Sequence, residues 1–202
     1  MPTSGGFRYR HMLQLPSPAV APEYSLPMPD NPVIIRPATP ADAATLAAFG
    51  ERTFREAFGP DNRSEDVNVY VSATYSAERQ GEEIADPGRF TFVGEGDGAI
   101  AAFAQLRSDG ETPSCVTGPA PIELLRFYVD RAWQGRGVAH ELMDTVVAAA
   151  RSRGARTLWL GVWERNPRAI AFYGKHGFRD VGCQPFKLGG DDQTDRVMAR
   201  AL

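Results

Sequence analysis

Residues 122–139 read Ile122-Glu123-Leu124-Leu125-Arg126-Phe127-Tyr128-Val129-Asp130-Arg131-Ala132-Trp133-Gln134-Gly135-Arg136-Gly137-Val138-Ala139 and pass from an apolar run through a glycine-bearing turn into a helical period. The run ending at Val129 has the composition of a buried strand. Beyond the turn, Val138, Leu142, Val146 and Ala150 share one helical face, with Ala139, Met143 and Val147 beside them. Arg151, Arg153 and Gly154 end that helix with basic residues and a glycine cap. A strand, a glycine turn and a helix N-terminus make an anion site, because the first N–H groups of a helix lack partners and the dipole places positive charge there. Gly135 and Gly137 have no Cβ to keep a phosphate away, Arg136 adds charge, and Ala139 is small enough to keep the helix close. The loop ends in Gly-Val-Ala, not the Gly-Lys-Ser/Thr of a P-loop, and His140 stands where a dinucleotide fingerprint needs its third glycine. A tight turn without a ligand remains the rival reading.

Downstream, Thr157-Leu158-Trp159-Leu160-Gly161-Val162 is a second buried strand. Asn166-Pro167 supplies the N-cap and first-turn proline of a helix that stops at His176-Gly177. Two closing strands, about 178–188 and 193–201, surround Gly189-Gly190-Asp191-Asp192. Upstream, Val33-Ile34-Ile35-Arg36 is a short strand ended by Pro37. Thr39-Pro40-Ala41-Asp42 then opens a helix carrying Leu46, Phe49, Phe54 and Phe58. Residues 61–85 hold one or two further helices, with Ser76 as a cap. Strands over 89–93 and 99–106 flank Glu95-Gly96-Asp97-Gly98, a hairpin signal. Residues 108–121 form a loop expected beside a substrate entrance. The expected order is β-α-α-β-β-β-α-β-α-β-β, an α/β domain over residues 33–202. Residues 1–32 carry Pro16, Pro18, Pro22, Pro27, Pro29 and Pro32 without any sustained period, and read as a disordered or extended arm, or as the product of an upstream start.

At 202 residues and 43% hydrophobic, the chain suits one buried core. A net charge of -3 argues against nucleic acid or an anionic membrane as partner. Cys115 and Cys183 have neither metal-ligand spacing nor disulfide density, so no metal and reduced cytoplasmic thiols are expected. No apolar run approaches the roughly 20 residues of a membrane span. Phe7 to Leu15 is interrupted by Arg8, Arg10 and His11, unlike a secretory signal.

Residues 122–182 resemble the core of the GCN5-related N-acetyltransferase (GNAT) superfamily. Gln134, Gly137 and Ala139 meet its Q/R-x-x-G-x-G/A motif. The block Asn166-Pro167-Arg168-Ala169-Ile170-Ala171-Phe172-Tyr173-Gly174-Lys175-His176-Gly177-Phe178 is similar to its N-x-x-A-x-x-F/Y-Y-x-x-x-G-F. Val33 to Asp42 matches a typical family opening. The resemblance implies a mixed, mostly antiparallel sheet splayed between its fourth and fifth strands, with helices on both faces. It implies direct attack of a primary amine on acetyl-CoA in a ternary complex. The cofactor would lie on Gln134, Gly135, Arg136, Gly137, Val138 and Ala139, with Asn166 and Phe172 alongside. A backbone N–H near Phe127-Tyr128-Val129, where the fourth strand is expected to bulge, would polarise the thioester carbonyl. Tyr173 would protonate the departing thiolate, a core aromatic being its plainer reading. Glu123, an acid in an apolar strand, is the first candidate for the base, directly or through water, and Glu164 the second; an exposed edge charge is the alternative for Glu123. His140 and His176 read as surface or capping residues. Trp133 would pack under the cofactor or serve the core.

Leu160-Gly161-Val162-Trp163-Glu164-Arg165-Asn166 and Gly190-Asp191-Asp192-Gln193-Thr194-Asp195-Arg196-Val197-Met198 are similar to a bacterial group that includes spermidine/spermine acetyltransferases. The acceptor implied is a small polyamine-like molecule, held by carboxylates for which Glu51, Glu56, Glu82 and Glu83 are candidates. A protein or peptide N-acetyltransferase, and a non-catalytic acyl-CoA-binding regulatory domain, stand as alternatives. A homodimer is left open.

Overall fold

The computed structural model describes residues 32–202; the expectation for the proline-rich arm, residue 32 apart, falls outside the described residues. Short continuous apolar runs become the central strands, buried on both faces, and apolar segments with period near 3.6 become helices. In chain order these are β1 (Ile34–Pro37), α1 (Ala43–Phe58), α2 (Ser64–Thr74), α3 (Ala77–Ala85), β2 (Arg89–Gly96), β3 (Ala99–Arg107), β4 (Pro121–Val129), α4 (Val138–Ser152), β5 (Thr157–Trp163), α5 (Pro167–Lys175), β6 (Arg179–Leu188) and β7 (Asp191–Ala201). Residues 61–85 thus hold two helices, and Ser76 caps the second by accepting from the Arg79 amide. Asp97 and Gly98 both take positive φ in the two-residue turn between β2 and β3, as an Asp-Gly hairpin requires. β7 begins at Asp191, opposite Leu188, so the last turn is Gly189-Gly190 and not the longer one expected.

The strands form one sheet of order β1-β2-β3-β4-β5-β7-β6. Every neighbouring pair is antiparallel except β4 with β5. That parallel pair is in register only at Pro121↔Thr157, Ile122↔Leu158 and Glu123↔Trp159. Beyond Glu123 the strands diverge, giving the expected splay. The bulge lies earlier than expected: Leu124 faces Leu106 and Arg126 faces Gln105, which leaves Leu125 as the extra residue. A run of consecutive apolar residues has no period with which to mark such a shift.

Each sheet face has its own core. Leu124, Phe127 and Val129 pack with Val138, Leu142 and Val146 of α4 and with Phe172 and Tyr173 of α5. Tyr128, Trp163 and Phe186 pack on the opposite face with Phe54, Phe58 and Tyr70 of α1 and α2. The loop 108–120 is not at the splayed end. Its Cys115, Val116 and Gly118 line a groove with Arg156 and Thr157, where β4 and β5 begin. Among the described residues, no helix is long and apolar enough to cross a membrane.

Candidate active site

Where β4 and β5 part, the chain leaves β4 through a short 3-10 turn, Arg131–Trp133, and enters α4. Asp130 fastens that turn, its side chain accepting from the Ala132 amide at 2.7 Å and from Arg52 of α1 at 2.5 Å. Gly135 and Gly137 have φ of 76° and 87°, and Gly137 is the N-cap of α4. A Cβ on Gly135 would meet nothing within 4 Å, so open space lies over the loop. Gln134 donates to the Val129 carbonyl at 3.1 Å, while its own side-chain oxygen is buried without a hydrogen-bond partner among the described residues.

This loop is one wall of a cleft of about 450 Å³ lined by Val129, Gln134, Gly137, His140, Arg168 and Phe172, with Lys175 also at its edge. The facing wall is α5, on which Arg168, Phe172 and Lys175 recur at helical spacing. Asn166 caps α5, its side-chain oxygen accepting from Ala169 N at 3.0 Å. At the rim, His140 and His176 share an Nδ1···Nε2 hydrogen bond of 2.9 Å. Burial first, and then His140, hold the His176 imidazole below its ordinary pKa.

The gap itself is lined by backbone. Asp130 N donates to Ala101 O at 2.8 Å, which fixes the antiparallel alternation on β4. Tyr128 therefore turns its backbone groups toward β3, and Phe127 and Val129 turn theirs toward the gap. The Tyr128 side chain goes to the other face, where its hydroxyl pairs with that of Tyr75 at 2.8 Å.

Tyr173 lies on the α5 side, fully buried, with its ring edge-on to Phe127 at 6.3 Å between centroids. Its hydroxyl has no hydrogen-bond partner among the described residues. Burial pushes this phenol well above its usual pKa. An orphaned hydroxyl, an orphaned amide oxygen, two open glycines and a cationic rim are together what a long ligand with phosphates and a thioester would satisfy.

Other expected residues fall elsewhere. Val138 is buried in the core beneath α4. Arg136 stacks over the Trp133 ring at 5.4 Å. Trp133 itself packs against the β2–β3 hairpin, where Gly96 makes room for it, and does not line the cleft. Glu123 is 4% exposed and accepts from Arg107 Nε at 2.8 Å. It sits on the paired root of β4, about 13 Å along the strand from Phe127 at the usual rise per residue. Glu164 is exposed just past β5. The acids expected to line an acceptor groove pair with arginines instead: Glu51 with Arg55, Glu56 with Arg52, Glu82 with Arg79, and the buried Glu83 with Arg126 and Arg89. Arg168, Ala171 and Lys175 line the cleft without having been expected there, and His140, read from sequence as a surface or capping residue, joins them.

Residues 53–178 match the acetyltransferase (GNAT) family. The chain is 37% identical over 162 residues to an uncharacterised N-acetyltransferase of Mycobacterium tuberculosis, covering 80% of this chain and 98% of that one. It is 29% identical over 112 residues to the N-alpha-acetyltransferase RimI of the same organism, covering 54% of this chain and 66% of RimI. Among solved structures, the PaiA N-acetyltransferase of Thermoplasma acidophilum in complex with coenzyme A aligns with a TM-score of 0.68 at 18% identity, covering 85% of this chain and all of that one.

Proposed function

Because the chain belongs to the acetyltransferase (GNAT) family and is an N-acetyltransferase, we propose that it moves the acetyl group of acetyl-CoA to a primary amine by direct attack in a ternary complex, the acceptor being a small, polyamine-like amine in the cytoplasm. The observation that carries this reading is the buried Tyr173 hydroxyl, without a hydrogen-bond partner among the described residues, beside a glycine-floored cleft. Bound acetyl-CoA would supply an activated acyl group and the phosphates that the cleft has charge to hold.

The chain's own residues would divide the work. The amides of Gly135 to Ala139, at the positive end of α4, would bind the pyrophosphate, with Arg168 and Lys175 adding charge from α5. Gln134 and Asn166 would orient the pantetheine arm through their side-chain amides, and Phe172 would pack against it. Backbone N–H groups of Phe127 and Val129 would point at the carbonyl oxygen, and a fixed amide in a dry gap favours developing negative charge there. Tyr173 stays protonated because burial disfavours phenolate, so it keeps a proton to give to the thiolate. Glu123 would take the acceptor's proton through water, since Arg107 and its depth on β4 keep it from direct contact.

A second reading, acetylation of a peptide N-terminus, draws on the likeness to RimI. The test is an acceptor panel of diamines, monoamines and peptides, followed by coenzyme A release. Diamines are expected to turn over best. Activity confined to peptides would move the reading to the second, and binding of acetyl-CoA without transfer to any acceptor would make the domain a sensor.

A further inference from the structure

At the rim of the cleft stands a pair of imidazoles to which acetyl transfer assigns no task. His140 lines the cleft from the first turn of α4, its amide donating to Gly137 O at 2.8 Å. His176, the C-cap of α5, is half-buried behind it, and the Nδ1···Nε2 hydrogen bond of 2.9 Å joins the two rings. Phe172 packs on both, at 4.4 Å from His176 and 5.6 Å from His140 between centroids. Arg168 and Lys175 of α5 line the same cleft.

The two imidazoles are not equivalent. Burial first, and then His140 and Arg200 of β7, hold His176 below its ordinary pKa, against the opposing pull of Asp144 on α4. Arg200 also donates to the His176 carbonyl at 2.6 Å and fixes the last turn of α5. His176 is thus the neutral partner, and its Nε2 lone pair accepts an N–H from His140 Nδ1. In a neutral pair of that arrangement His140 Nε2 carries a bare lone pair, which repels a phosphate oxygen. A proton on Nε2 turns the same atom into a charged donor. Lys175 and Arg168 from α5, Arg200 from β7 and the positive end of α4 oppose that charge in the empty cleft, while Glu141 and Asp144 of α4 favour it. An arriving phosphate tips the balance toward the proton.

Resting on the acetyl-CoA reading above, we propose that His140 is a phosphate-binding residue that takes a proton from solvent as the cofactor binds, with His176 as its positioning residue. The proton goes to His140 Nε2, the new N–H donates to a phosphate oxygen, and His176 holds the ring by accepting from Nδ1. Reciprocity follows: if phosphate raises the affinity for the proton, the proton raises the affinity for the cofactor by the same factor. Cofactor binding therefore tightens as pH falls through neutrality, a response that arginine and lysine alone would not give.

The test is calorimetric binding of acetyl-CoA, without acceptor, in two buffers of different ionisation enthalpy, which counts the protons taken up. At about pH 7.5 a phosphomonoester, with its second pKa near 6, stays dianionic and does not mask the count. The wild type is expected to take up roughly half a proton or more per cofactor, and to bind about tenfold more tightly at about pH 7 than at about pH 8.5. His140→Gln should lose both the uptake and the pH slope. His176→Leu should lose most of the uptake, whereas His176→Gln, whose side-chain oxygen can accept from Nδ1, should keep it; a merely structural role would not separate these two variants. Acetyl-dephospho-CoA distinguishes the partner: uptake lost with it assigns His140 to the 3′-phosphate, and uptake kept assigns it to the pyrophosphate. Uptake with S-acetylpantetheine, which has no phosphate, would overturn the proposal. So would uptake that survives in His140→Gln, or acetyl-CoA binding with no uptake, and either result leaves the acetyl-CoA reading standing. Failure to bind acetyl-CoA at any pH would sink both.

Discussion

Tyr173 has a hydroxyl that the fold buries and leaves to a ligand, which separates its chemical role from its packing role. Tyr173→Phe keeps the ring against Phe127 and removes only the orphan oxygen. Turnover should fall by about 10² to 10⁴, the range for loss of a positioned acid, with acetyl-CoA affinity within about twofold. Stability should hold or rise, because an unsatisfied buried hydroxyl is a cost to the fold. Equal losses of rate and affinity would make it a packing residue. Glu123→Gln offers a similar separation: a base loses the acidic limb of its pH–rate profile, whereas a purely structural partner of Arg107 loses stability and keeps that limb. Tyr173 was legible because its motif lies within a short span of chain. Arg168 and Lys175 were legible in principle, since their spacing repeats that of the Phe172 face. The burial of Asp195 was not, because it is made by the register of β7 with β5 and β6, which no local pattern carries.

At the level of single elements, the helix N-terminus and the buried ion pairs make contrasting predictions. Gly137→Asp puts a like charge on the cap of α4, in a backbone conformation with φ of 87°. It should weaken acetyl-CoA binding by about 100-fold or more in a titration, and an unchanged dissociation constant would remove the loop from the site. Glu83→Gln acts on the fold instead. Its carboxylate on α3 accepts from Arg126 of β4 and Arg89 of β2, and Arg126 also reaches Gln105 at 3.1 Å. Leaving Arg126 buried without that charge should cost about 3 kcal/mol or more in urea unfolding. From sequence, Glu83 read as a candidate carboxylate for the acceptor groove, because its partners Arg126 and Arg89 come from strands distant in the chain. The glycine loop, α4 and its Gly154 cap were readable because each is a local signal.

The whole molecule is tied at its first strand by a charge cluster with a defined pH response. Arg36 of β1 bonds Asp42 at 2.8 Å and Glu95 at 3.1 Å, joining β1 to the start of α1 and to β2. The Arg36 hydrogen bond holds the Asp42 carboxyl well below the usual carboxylate range. A depressed folded pKa stabilises the protein above the unfolded value of about 3.9 and stops doing so as pH falls through the folded one. Asp42→Asn should therefore melt lower than wild type at neutral pH, with the difference shrinking progressively below about pH 4 in thermal scans. A gap that stays constant into acid would mean that shape, not charge, is what Asp42 contributes.

Three residue pairs are all that stitch β4 to β5, so the sheet is two leaves on a narrow spine: β1 to β4 on one side, β5 to β7 on the other. Such a spine sets how the molecule breathes. Amide protons of Phe127 and Val129, which look into the open fold of the book, should exchange with deuterated solvent far faster than that of Tyr128, which is bonded to β3. A molecule lying between the leaves would act as a clasp, slowing those two positions together and raising the melting temperature in proportion to the logarithm of its concentration.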